Sequence, residues 1–339
     1  SYARGLRFVL RPEDLRQHLA GAAAAFIPGS GSMNSQWWHD WLHVKAWEVL
    51  AARRAGIPVF ATSQGVGPEF THPLDARAAR MMFNSCQVVG VRDGSASAGI
   101  LQACGVSAGR IGHSGDDALL LAPDEAGASR VLAGFGDRHP LIAINLRDAS
   151  SYGKKYPKPD INFWAALVRD LAALPSSPHF LFLPVSYDPA DDDRRPARAL
   201  IDALVATGIP SSRFFTVEEM VEAPVLRALA GRAAVGVGIS YHFLLFCLSA
   251  RVPAVGLWQN PYYKAKTHGL MALHECPEFA RELSATDPSS LALHLQEILA
   301  NRPKHVHALE SVLGRLQSAA DQTRSRILQF LPPPHPAIP

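Results

Sequence analysis

The residues best suited to chemistry lie in one run, Val235 to Lys266, "VGVGISYHFLLFCLSARVPAVGLWQNPYYKAK". A small apolar strand ends at a polar junction, Ser240, Tyr241 and His242, and an apolar helix follows. A helix starting near Ser240 turns its orphan N–H groups and positive dipole end toward the sheet edge, which suits a phosphate. His242, inside the first turn, has a ring that gives or takes a proton near neutral pH. Lys264 and Lys266 are expected to follow a second strand into the same cleft. A lone histidine at a helix start is more often structural; here several other strand ends converge on the same edge.

Those other strand ends are "IPGSGSMN", "SQGVGP", "VRDGSAS" and "INLRD". Gly29, Ser30, Gly31 and Asn34 offer backbone and side-chain groups to an anion or a sugar hydroxyl, although a plain strand-to-helix turn explains the motif better by itself. It lacks the GxGxxG spacing. Gln64 stands at a strand end and Gly65 opens a Gly-Pro loop, either a ligand loop or a simple turn. Arg92 reads as the partner of Asp93 before a serine helix cap, and Asp116 and Asp117 as capping residues. Arg147, two residues after Asn145, is costly in a cleft unless it meets an anion or an acid. A ligand carboxylate or phosphate fits, and so does a salt bridge to Asp148 or another acid.

A metal centre is not expected. His39 and His43 are four apart but lack the glutamate of an HExxH pattern, and Asp191, Asp192 and Asp193 read as a helix-start charge preference in a solvated loop. A GxSxG elbow is also missing. No cofactor is called for.

The elements that must position these groups follow from the hydrophobic pattern. Apolar, β-branched runs alternate with longer helical stretches, the rhythm of a parallel α/β sheet, and the rhythm restarts after the polar stretch Pro123 to His139. Ligands of such sheets gather at the carboxyl ends of the strands. An N-terminal Rossmann-like domain is expected over 1–122, a second over 140–315, and a helix over 316–330 that packs back on the first. The hinge then lies between about Leu121 and Leu141, with the ligand between the domains. The 339 residues carry 33 Lys+Arg against 30 Asp+Glu, mixed rather than striped, which argues against a nucleic-acid surface. The four cysteines form no CxxC pair and read as reduced thiols of a cytoplasmic protein. The apolar runs are too short to span a bilayer, and no signal peptide is evident.

In this order, "PGSGS", "SQGVGP", "VRDGSAS", "GDDALLL", "INLRD" and "YHFLLFCLSARVPAVGLWQNPYYKAK" resemble the polysaccharide pyruvyl transferase family, over about Phe26 to Gly269. The resemblance implies two Rossmann-like domains in a GT-B-like fold, with a C-terminal helical extension. It also implies transfer of an enolpyruvyl unit from phosphoenolpyruvate to a sugar of a polysaccharide or its lipid-linked precursor, as a pyruvate ketal. By position, His242 is similar to the family histidine, Arg147 to the arginine opening the second domain, and Lys264 or Lys266 to the late basic residue. His242 and Arg147 would be catalytic; Ser240, Tyr241, Lys264, Lys266 and Arg92 would hold the donor phosphate. Gly29, Ser30, Gly31, Asn34, Gln64, Gly65 and Asn145 would line the acceptor side or the cleft.

Two departures stand out. Ser240 occupies the place of the family's arginine, removing a bidentate anion contact. The family's opening strand and Gly-Asn turn are not seen before Phe26, so the chain is expected to begin inside the first domain. A GT-B glycosyltransferase using a nucleotide-sugar, or a non-catalytic sugar- or phosphate-binding protein, are the alternatives. The expected partners are phosphoenolpyruvate and a sugar acceptor, with no nucleic acid and with peripheral membrane contact compatible.

Overall fold

A computed structural model describes residues 19–37, 41–93, 95–136, 140–148 and 158–331. The chain divides into two compact units, Ser1–Asp117 with Gly314–Pro339, and Ala118–Leu313. Each is a parallel sheet with helices, a Rossmann-like arrangement.

The first unit holds β1 (Ala25–Ile27), β2 (Ser30–Met33), β3 (Val59–Val66), β4 (Val88–Val91) and β5 (Ile111–His113). Their order is β1-β3-β4-β5, with β2 also paired to β3. Every residue of β4, Val-Val-Gly-Val, is buried, as suits a parallel strand covered on both faces. Helices α1 (His43–Arg54), α2 (Pro73–Ser85) and α3 (Ser95–Ala103) are among the described helices of this unit. Two expectations change here. The "PGSGSMN" turn contains β2, with Ser30 paired to Gln64 and Met33 to Val66. Gln64 and Gly65 lie inside β3 rather than in a loop.

The second unit holds β6 (Leu141–Asn145), β7 (His179–Phe182), β8 (Phe214–Thr216), β9 (Val235–Gly238), β10 (Ala254–Trp258) and β11 (Ala280–Glu282), in the order β11-β10-β9-β6-β7-β8. Its helices are α4 (Glu125–Val131), α5 (Ile161–Ala172), α6 (Arg194–Ala206), α7 (Ala223–Gly231), α8 (Tyr241–Ser249), α9 (Pro261–Leu273), α10 (Pro288–Ala300) and α11 (Arg302–Leu328). The central strands β6 and β9 are wholly buried. A Cβ on Gly236 would stand 2.8 Å from Cys247 Sγ, and one on Gly238 2.8 Å from the Phe243 ring. The "VGVG" strand thus lets α8 lie directly on the sheet, which fixes where its first turn emerges.

The tyrosines and lysines expected to end a second strand are helical instead. Asn260 accepts the Tyr263 N–H and Pro261 opens α9, both strong start signals. The stretch expected as a hinge, Leu121 to Leu141, holds α4, whose Ala128 is fully buried in the core of the second unit. From Gly314 onward α11 belongs to the first unit. There Thr323 donates to the His113 carbonyl at 3.2 Å, Arg326 to that of Ile111 at 3.1 Å, and Ile327 packs with Phe60 and Val88. Among the described residues no helix is long and apolar enough to cross a membrane. All four cysteines are unpaired, and burial pushes the Cys86 and Cys276 thiols up to about 12.

Candidate active site

In the second unit the chain leaves β9 through Ile239 and enters α8 at Ser240. Ser240 donates its N–H to Asn145 Oδ1 at 3.0 Å, while its own side chain makes no capping hydrogen bond. Tyr241 is buried and His242 exposed. The imidazole meets the Tyr241 ring edge-on at 5.4 Å and lies 6.5 Å from Phe246. It lines a cavity of ≈ 630 Å³ with Ser186, Tyr187 and Asp188 on the polar side and Leu121, Val221 and Leu226 among its apolar walls. A proton-transfer group therefore stands at the rim of a cavity, on a helix start with no side-chain cap from Ser240. That combination suits an anion undergoing protonation.

Arg147 corrects the expectation of an anion clamp. Its Nη1 donates to Asp193 Oδ1 at 3.1 Å and to the Asp191 carbonyl at 3.2 Å, and its Nη2 donates to Asp191 Oδ2. Asp191 and Asp193 are 3% and 1% exposed, so the supposed solvated loop is a buried carboxylate pair. Asp193 also accepts from Asn145 Nδ2 and from the N–H groups of Asp148, Val185 and Ser186. Burial pulls the guanidinium down, but Asp193, Tyr263 and Asp191 more than offset this and hold it above the ordinary arginine value. Burial pushes the Asp193 carboxyl up, opposed by Arg147 and by the Val185 and Ser186 N–H groups. Each of these donors addresses an acceptor oxygen of Asp193, so the carboxylate organises the ends of β6 and β7. Two carboxylates around one guanidinium leave no net positive charge for a ligand.

The amides placed at the cleft serve the backbone. Asn145 is 1% exposed; it accepts the Ser240 N–H and donates to Asp193 and, at 2.9 Å, to the Leu183 carbonyl. Gln64, fully buried, donates to the carbonyls of Pro28 at 2.9 Å and Thr62 at 2.7 Å. Asn34 Nδ2 reaches the Gly31 carbonyl at 3.3 Å and that of Gly67 at 3.1 Å, and its Oδ1 accepts the Gln36 N–H. Where strands end, carbonyls lose their ladder partners, and a buried amide satisfies two together. Lys264 and Lys266 lie over aromatic faces, 5.0 Å above Trp258 and 4.1 Å above Tyr262.

In the first unit Arg92 does not pair with Asp93. Its Nη1 meets buried Asp116 at 3.3 Å, and a Cβ on Gly65 would stand 2.4 Å from Arg92 Nε, so that glycine makes room for the guanidinium. Asp93 instead accepts the Ser97 N–H at 2.9 Å, at the start of α3. Asp117 is not a simple cap: it accepts from Thr62, Ser63 and the Gly29 N–H. His43 Nε2 pairs with Asp75 at 2.9 Å, and His39 lies outside the described residues.

A family model described as polysaccharide pyruvyl transferase matches residues 2–261, well over half the chain. The chain belongs to the polysaccharide pyruvyl transferase family. No curated protein matches its sequence. Among solved structures, this pyruvyl transferase family member is similar to a Listeria monocytogenes protein assigned as a UDP-N-acetylglucosamine 2-epimerase. The TM-score is 0.62 at 13% identity, covering 96% of this chain and 78% of that one. It is also similar to S. aureus MnaA in a UDP co-structure, at TM-score 0.60 and 11% identity, covering 98% and 83%. A trehalose 6-phosphate synthase of Burkholderia multivorans follows at TM-score 0.58 and 13% identity, covering 97% and 74%. At these identities the likeness establishes the GT-B-like fold. The partners of Asp191, Asp193 and Asp117 are remote in sequence, so no local pattern reveals these ion pairs and hydrogen bonds. The one local sign was the unusual run of three aspartates at a helix start.

Proposed function

We propose that this chain transfers an enolpyruvyl unit from phosphoenolpyruvate to a saccharide and closes a pyruvate ketal. The observation that carries this reading is His242, exposed at the start of α8 and lining the cavity, in a chain of this family. His242 protonates the donor's C3 methylene, leaving an oxocarbenium-like centre at C2. A sugar hydroxyl adds to C2 and loses its proton, phosphate leaves, and a second hydroxyl of the same acceptor closes the ring with loss of its proton. The N–H groups at the start of α8, near Ser240 and Tyr241, hold the phosphate. Lys264 and Lys266 supply further positive charge, and Arg147 shapes the edge of the sheet. The acceptor is a sugar of a polysaccharide or of its lipid-linked precursor. Four unpaired cysteines accord with a reducing cytoplasm.

A glycosyl transfer from a nucleotide-sugar is the second reading, favoured by the neutralised Arg147 and by Ser240 in place of arginine. Phosphate release from phosphoenolpyruvate, measured on the whole chain with a panel of oligosaccharides, separates the two. Pyruvyl transfer predicts release that falls about 10²- to 10⁴-fold in His242→Ala, with an unchanged melting temperature. Full release by that variant makes the histidine structural. Consumption of UDP-sugars with no phosphate release establishes the second reading.

A further inference from the structure

The cavity that His242 lines holds one more group able to move a proton. Asp188 lines it too, with Ser186 and Tyr187, and comes from the carboxyl end of β7, whereas His242 follows β9. β6 lies between those strands, so their ends stand about 10 Å apart, twice the spacing of neighbouring strands. That gap and the cavity's ≈ 630 Å³ admit a sugar ring. Of the four aspartates in 188–193, three are held by arginine: Asp191 and Asp193 by Arg147, and Asp192 by Arg194. Asp188 is exposed and forms no ion pair among the described residues. Its Oδ1 accepts the Ala190 N–H at 2.8 Å, and its Oδ2 has no hydrogen-bond partner among them. The backbone carrying it is pinned. Ser186 donates its N–H to Asp193 at 3.1 Å and its hydroxyl to Asp191 at 2.7 Å, the Asp191 N–H donates to the Asp188 carbonyl at 2.9 Å, and Arg194 lies 4.9 Å over the Tyr187 ring. A carboxylate so placed, with one oxygen open, is preorganised to accept a proton.

Ketal formation needs such a group. Phosphoenolpyruvate gains one proton at C3, and each of two sugar hydroxyls loses one as it bonds to C2. The geometry points to Asp188 as the base that takes the proton of the first hydroxyl, an assignment that rests on the transferase reading. His242 gives its proton to C3, the first hydroxyl oxygen bonds to C2, and its proton passes to Asp188. The C2–O bond to phosphorus's oxygen then breaks, and phosphate leaves with the Asp188 proton. The second hydroxyl closes the ring at C2 and returns a proton to His242, so both side chains end as they began.

The test is phosphate release from phosphoenolpyruvate by the whole chain with a panel of oligosaccharides, in wild type, Asp188→Asn and Asp188→Ala, the last with and without added formate. Asp188→Asn keeps the size and an oxygen for the Ala190 N–H, and should melt with the wild type. Its release should fall about 10²- to 10⁴-fold, while phosphoenolpyruvate binding, measured by calorimetry, does not weaken. Formate, a small carboxylate base, should restore part of the rate in Asp188→Ala, which a merely structural role would not allow. Wild-type release by Asp188→Asn overturns the assignment and leaves the transferase reading standing, and so does a loss that comes with weaker phosphoenolpyruvate binding or that formate leaves unchanged. Should Asp188→Asn fail to fold, Asp188→Ala decides: rescue by formate supports the base, and full release without formate overturns it. No release by wild type with any acceptor sinks the transferase reading and this role with it.

Discussion

Replacing Arg147 or Asp193 tests whether this arginine is structural or binds a ligand anion. Asp193, 1% exposed, accepts from Arg147, Asn145, Asp148, Val185 and Ser186. Asp193→Asn keeps the shape but turns an NH₂ group toward donors and removes the charge facing Arg147. Breaking a buried ion pair costs about 3–5 kcal/mol, and Asp193→Asn should fall in that range. Arg147→Met leaves Asp191 and Asp193 facing each other without their cation, although Asp193 keeps four other donors; about 3 kcal/mol is expected, the low end of that range. The double variant should cost less than the two single ones together, by about 1 kcal/mol or more, because the groups share one network. Urea unfolding followed by fluorescence, with Trp164 as the fully buried reporter of this unit's core, supplies the numbers. If Arg147→Met unfolds with the wild type yet loses phosphoenolpyruvate binding, the carboxylate pair does not own the guanidinium and the clamp returns.

Three further outcomes are expected. Ser240→Arg should tighten phosphoenolpyruvate binding, measured by calorimetry, because it restores a bidentate anion contact beside the start of α8; weaker binding means the pocket has been rebuilt. Gly238→Ala places a Cβ 2.8 Å from the Phe243 ring and should cost about 1–3 kcal/mol in urea unfolding while also impairing turnover, since α8 must shift. His274, buried with Nδ1 on the Leu270 carbonyl, has its pKa lowered by burial below the ordinary 6.5. Its unfolded form therefore takes a proton first, so stability is complete above about pH 6.5 and falls as pH drops from there toward the folded value. The slope is at most about 1.4 kcal/mol per pH unit, and His274→Leu should flatten the urea midpoint between pH 7 and pH 5.5.

What the sequence determined by itself is whatever depends on near neighbours. Runs such as "LIAIN" and "VGVG" can only be buried strands, Asp160 and Asp287 cap the helices that follow them, and the strand-to-helix junction at Ser240 puts His242 at the sheet edge. Periodicity and capping act within a few residues, so they are readable along the chain. Even there, "QNPYYKAK" went to a helix because Asn260 and Pro261 outweigh the β preference of the tyrosines. Tertiary structure alone decided the partners of the charged groups. Arg147 meets Asp191 and Asp193 some 44 and 46 positions away, Arg92 chose Asp116 over adjacent Asp93, and Asp117 meets Ser63 across 54 positions. A charge in a cleft needs an opposite charge, but the ion pair has no sequence period. Which acid supplies it is set by the order in which parallel strands are laid side by side, and that order depends on crossovers that bring distant strand ends to one edge.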